Sequence, residues 1–101
     1  MTESDIKRAI LLRLGSRQDT LVWNHPTGVA QLPDGRVIRY GCVGSPDIIG
    51  VCNGRAVGVE VKAARGRQSE QQVRFQAAWE SRGGLYILAR SADEAEEGLQ
   101  I

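Results

Sequence analysis

Apolar residues at Ile6, Ile10 and Leu14 fall on one stripe of a 3.6-residue repeat and predict an N-terminal helix. Thr2 can cap it, with Asp5 three residues on, and Gly15 is its stop. The period then shortens to that of strands. Residues 21–23 read as a short strand, cut off by His25-Pro26-Thr27-Gly28. Pro33-Asp34-Gly35 separates residues 30–32 from 36–40 in the manner of a hairpin, and residues 41–46 form a loop with two glycines and a proline. The sharpest local signal follows: residues 47–52 and 55–63 are β-type runs around Asn53-Gly54, the dipeptide best suited to a two-residue hairpin turn. Ser69, with Gln72 at the capping-box position, opens a second helix that Gly83-Gly84 ends. An apolar strand at 85–89 and a short acidic helix opened by Ser91 and Glu94 complete the chain. This order predicts an α/β (α+β) fold, a mixed sheet with helices against it.

Composition narrows the class without naming a function. The 101 residues suit one domain, spanning 1–101, and 42% hydrophobic with 25% charged residues is ordinary for a globular protein. Apolar runs stop at four or five residues, as at 9–12 and 85–89, too short for a membrane helix. The first residues carry no basic-then-apolar signal pattern. Cys42 and Cys52 lack metal-binding spacing and are expected as buried free thiols in a reducing cytoplasm. A net charge of +1 means that any nucleic acid must be met by a local basic face.

The Asn53-Gly54 turn also fixes a register. It sets Cys52 opposite Arg55, Ile49 opposite Gly58, Ile48 opposite Val59 and Asp47 opposite Glu60. Alternation sends Val57, Val59 and Val61 to the core and Gly58, Glu60 and Lys62 to the other face, where Asp47 joins them. Like charges directly opposite on a sheet, with Cβ atoms about 4.5–5.5 Å apart, are unfavourable, and a bridging divalent cation relieves them. Hard oxygen donors suit Mg²⁺ or Mn²⁺. A Glu and a Lys two apart on a strand are commonly a solvated pair. The third charge at the same spot favours a site.

Gly44-Ser45-Pro46-Asp47, Glu60-Val61-Lys62 and Ser69-Glu70-Gln71-Gln72, with Phe75 three residues beyond, together resemble the PD-(D/E)XK nuclease superfamily. Within it the chain resembles the stand-alone VRR-NUC nucleases of phages and bacteria, from the first helix to the strand at 85–89. The resemblance implies a restriction-endonuclease-like sheet with an αβββαβ core and a metal-dependent phosphodiesterase activity. Asp47 and Glu60 are then metal ligands, the Val61 carbonyl is a further oxygen, and Glu3 on the first helix is the matching additional acid. Lys62 would hold the attacking water or neutralise the developing oxyanion. Gln72 would touch Lys62 or the phosphate, although it also reads as half of a capping box, and Glu3 also reads as a helix-dipole acid.

DNA contacts are expected from Arg65, Arg67 and Arg74 after Lys62, and from Arg36 and Arg39 on the preceding strand. His25, the sole histidine, reads as part of a turn, and Trp23 and Trp79 as core or interface residues. The resemblance further points to branched DNA such as four-way junctions, cut by a homodimer whose twofold axis supplies paired incisions, in a bacterial or phage-infected cytoplasm. Two alternatives use the same scaffold: a sequence-specific restriction-type endonuclease, and a non-catalytic DNA-binding or assembly module. The intact Asp47, Glu60 and Lys62 set speaks against the latter, and the lack of an inserted recognition loop against the former.

Overall fold

The computed structural model of the chain describes residues 1–100. Helix α1 (Glu3–Gly15) starts at a complete capping box, in which the Asp5 N–H donates to Thr2 Oγ1 at 3.1 Å and the Thr2 N–H to Asp5 Oδ2 at 3.2 Å. Then come β1 (Thr20–Asn24), β2 (Gly28–Gln31), β3 (Val37–Tyr40), β4 (Ile48–Cys52), β5 (Arg55–Val61), α2 (Glu70–Ser81), β6 (Leu85–Ala89) and α3 (Ala92–Gly98). The main sheet runs β1-β4-β5-β6, with the first three strands antiparallel and β6 parallel to β5. Helix α2 provides the crossover that a parallel pair requires.

Asn53 (φ 50) and Gly54 (φ 79) both occupy the left-handed region, as a type I′ turn demands. The register follows as the sequence predicts, from Cys52↔Arg55 to Ile48↔Val59. Val57, Val59 and Val61 consequently face a single core with Ile48, Ile87, the α1 stripe of Ile6, Ile10 and Leu14, and Ala95 of α3. Arg13 and Arg17 tie α1 to α3 through Asp93 and Glu96, at N–O distances of 2.8 to 3.4 Å. The opposite face of the sheet belongs to α2.

Strands β2 and β3 pair only with each other and form a separate two-stranded sheet. The αβββαβ core is therefore α1, β1, β4, β5, α2 and β6, with the hairpin inserted between its first two strands. The hairpin itself begins at Gly28, two residues before the pattern suggests, because its bend extends from Leu32 to Arg36, where the Leu32 N–H donates to the Arg36 carbonyl at 2.7 Å.

One cysteine departs from expectation. Cys52 is buried on β4, but Cys42 is exposed, because it lies in the glycine loop and on no strand. Trp23 is also well exposed on β1, which leaves it outside the core. Among the described residues no helix is long and apolar enough to cross a membrane.

Candidate active site

The site grows from the open end of the β4–β5 hairpin. Gly58 on β5 leaves room for Pro46: a Cβ there would fall 2.6 Å from the Pro46 ring. Gly44, at φ +84, lies so close to α2 that a Cβ would meet the Gln71 carbonyl at 2.5 Å. These two close approaches seat the Gly44-to-Asp47 segment between the sheet and the first turn of α2. The Asp47 carbonyl accepts from the His25 N–H at 2.7 Å, extending the pairing of β1 with β4 by one bond. His25 thus contributes its backbone here, consistent with the turn reading of the sequence.

Asp47 lies just beyond the β4–β5 ladder, and its side chain takes over a backbone role. Its Oδ2 accepts from the Val61 N–H at 2.9 Å, the donor that a longer antiparallel ladder would aim at the carbonyl of position 46. Glu60 is 2% exposed, covered on its side of the sheet by α2. Its Oε2 accepts from Gln72 Nε2 at 2.6 Å and stands 3.2 Å from Lys62 Nζ. Its Oε1 is buried with no hydrogen-bond partner. Burial, followed by the Asp47 charge, pushes the Glu60 carboxyl up to about 7, with Lys62 pulling the other way.

Gln72 caps α2 as the sequence allows, but its partner in the site is Glu60 and not the expected Lys62. Its Oε1 accepts from the Ser69 N–H at 2.8 Å and completes the capping box of α2, while its Nε2 holds Glu60. The amide has two ends, and each has one job.

Glu3 arrives from α1, and its Oε2 accepts from the Ala63 N–H at 3.4 Å. It lines a polar cavity of about 140 Å³ together with Ser4, Lys7, Asp47 and Val61. Glu3 does not complete a three-carboxylate cage: among the described residues no group of three His, Cys, Asp or Glu side chains is placed to hold one ion. Ser4 and Lys7 were not singled out by the sequence reading. The spacing of Lys7 one helical turn after Glu3 was the available signal.

The proposed DNA-binding arginines divide by element. Arg65 and Arg67 are exposed on the loop after Lys62. That loop is pinned by Arg90 Nη2 to the Gly66 carbonyl at 2.8 Å and by Gln68 Nε2 to Tyr86 Oη at 3.2 Å. Arg90 is a further contributor absent from the sequence reading. Arg74 pairs with Glu70 at 3.2 Å on the exposed side of α2, and Arg36 pairs with Asp34 at 2.6 Å in the hairpin bend. Arg39 lies on β3, whereas Arg36, expected on the same strand, lies in the bend just before it. Trp79 stacks on Phe75 and donates its ring N–H to the Leu85 carbonyl at 3.0 Å.

The donor set fits a hard divalent cation. The Asp47 charge raises the cost of ionising Glu60, one buried carboxylate oxygen has no partner, and every available donor is oxygen.

No protein-family model and no curated protein matches this sequence. Solved structures do match. One of them, a VRR-NUC domain, superposes with a TM-score of 0.67 over 99% of this chain and 97% of its own length, at 18% sequence identity. A likeness of that extent at that identity is a likeness of fold, and over nearly its whole length this chain folds as a VRR-NUC domain.

Proposed function

We propose that the chain is a metal-dependent nuclease that hydrolyses phosphodiester bonds in DNA, with Asp47, Glu60 and Lys62 as its centre. The observation that carries this reading is the buried, partnerless Glu60 Oε1 beside Asp47, on a VRR-NUC fold. Asp47, Glu60 and the Val61 carbonyl would hold Mg²⁺ or Mn²⁺, with Glu3 an additional acid across the cavity. A divalent ion there supplies activation of the attacking water and charge stabilisation at the phosphate.

The chain's own side chains divide the remaining work. Lys62 neutralises charge developing on the phosphate while its contact with Glu60 Oε2 keeps the ammonium in place. Gln72 fixes the orientation of the Glu60 carboxylate from the first turn of α2. Arg65 and Arg67 meet backbone phosphates on the strand beside the site, with Arg36, Arg39 and Arg74 as outlying contacts. Gln72→Glu should keep an acceptor for the Ser69 N–H yet set a second carboxylate against Glu60. Cleavage is expected to fall roughly 10- to 100-fold with little change in the melting temperature. Equal rates for this variant and wild type would remove Gln72 from the site.

Branched DNA, four-way junctions in particular, is the proposed substrate, and a homodimer the proposed active form. Exposed apolar side chains support the dimer. Val29, Val37, Ile38 and Tyr40 are uncovered on a two-stranded sheet, an element of marginal stability when left bare. On α2, Phe75 and Trp79 line an apolar groove of about 430 Å³ with Ala56, Ala78, Arg82 and Gly84. The deciding assay sets duplex, flap and four-way-junction DNA against the purified protein with Mg²⁺, with Mn²⁺ and with EDTA, alongside light scattering. Paired incisions in the junction by a dimer, abolished by EDTA, are expected. No cleavage of any substrate with either metal would overturn the nuclease reading, and a monomer that still makes paired cuts would overturn the dimer.

A further inference from the structure

We propose that Lys7 is a phosphate-binding residue of the site, contacting the DNA backbone from the α1 side; this rests on the nuclease reading above. Lys7 is half-buried and lines the same cavity of about 140 Å³ as Glu3, Asp47 and Val61. The helix stripe that sinks Ile6 and Ile10 into the core leaves positions 3 and 7, one turn apart, turned together toward the end of β5.

Several other cations nearby are committed. Lys62 pairs with Glu60, Arg13 and Arg17 pair with acids of α3, and Arg90 donates to the Gly66 carbonyl. Lys7 makes no ion pair and no side-chain hydrogen bond among the described residues, although Glu3 and Asp47 line the same cavity. A flexible ammonium held at a polar cavity and left unpaired is available to an anion from outside. The nucleic-acid backbone is the anion that the neighbouring arginines also suit. Lys7 on α1, and Arg65 with Arg67 on the loop after Lys62, then offer positive charge from two elements.

A role confined to balancing Glu3 and Asp47 makes a different prediction from a role toward phosphate. The experiment compares wild type, Lys7→Ala and Lys7→Arg binding a fluorescently labelled four-way junction in EDTA across a series of NaCl concentrations. Calorimetric titration with MnCl₂ and cleavage kinetics are run on the same three proteins. Loss of one phosphate contact should flatten the slope of log K against log salt by about 0.9 and weaken binding roughly five- to tenfold at moderate salt. KM should rise more than kcat falls, and Lys7→Arg should restore the slope.

An unchanged slope in Lys7→Ala, with tighter Mn²⁺ binding, would overturn the proposal in favour of charge balance. Wild type that cleaves while Lys7→Ala binds DNA normally refutes the Lys7 role and leaves the nuclease standing. Wild type that binds junctions without cleaving, with the slope still flattened in Lys7→Ala, refutes the nuclease and supports the phosphate contact. Wild type that binds no DNA refutes both. Circular-dichroism melting of each variant, with Lys7→Arg as the conservative partner, separates loss of contact from loss of fold.

Discussion

Glu60→Ala is expected to lower DNA cleavage on the order of 10³-fold, measured as single-turnover incision of a four-way junction at saturating Mg²⁺. The magnitude follows from what is removed. A divalent ion at the reacting phosphate is worth several kcal/mol of transition-state stabilisation, and each 1.36 kcal/mol is about tenfold in rate. Deleting Glu60 takes away one ligand carboxylate, the anchor of Lys62 and the partner of Gln72 together. The fold should survive. Its core is built by Val57, Val59 and Val61 on the other side of the same strand, and Glu60 contributes nothing to that cluster. Asp47→Ala should lose activity to a similar degree but is structurally less clean, because it also strands the Val61 N–H. Full activity in Glu60→Ala would sink the assignment of the centre.

In EDTA, the melting temperature of the wild-type protein should fall as pH rises from about 4.5 to about 7.5, by an amount on the order of 10 °C. The Glu60 carboxyl is raised from 4.5 to about 7 in the folded chain, first by burial and then by Asp47. Between those values the native state holds a proton that the unfolded state has released, so each upward step in pH favours unfolding. Below the window both states are protonated and the penalty vanishes. Above it the penalty is complete and the curve levels. Asp5 and Asp19 are held below 3.8, by the Thr2 cap and by Arg17 respectively, so their contributions fall off only at more acid pH. Glu60→Gln should flatten the curve across the window, and saturating Mg²⁺ should do the same for wild type by holding the carboxylate ionised. A wild-type curve already flat in EDTA would show that Glu60 is not strained in the way the structure implies.

Asn53-Gly54 makes the register behind the candidate site legible in the sequence. Both turn residues need positive φ, few pairs accept it, and a two-residue turn leaves a single register for the strands that flank it. The placement of β2 and β3 was not legible. Their alternation shows that they pair with one another, but it holds no information on whether the pair joins a larger sheet. The exposure of Cys42 is not legible either, because the absence of metal-binding spacing says nothing of burial for a thiol carried by a glycine loop. The placement of Lys7 and Arg90 was not legible for a common reason: it depends on which strand end α1 and β6 reach, and a stripe of buried residues specifies the packed face without naming the neighbour. Gln72 was half legible: the Ser69 spacing gives its cap, while the other end of the amide reaches Glu60 and not the Lys62 or phosphate expected of it.

Val61 puts its side chain in the core and its N–H on Asp47. Substitution to Ile or Leu at this position would register in a mutational scan as core packing and nothing more, since every residue but proline supplies the same donor. Part of the proposed catalytic centre is therefore invisible to side-chain genetics. The perturbation that addresses it is a change of the backbone itself, for instance an ester in place of the Val61 amide, which deletes the N–H while sparing the isopropyl group. Such a semisynthetic protein would separate the seating of Asp47 from the stability of β5, which no exchange among the genetically encoded side chains can do.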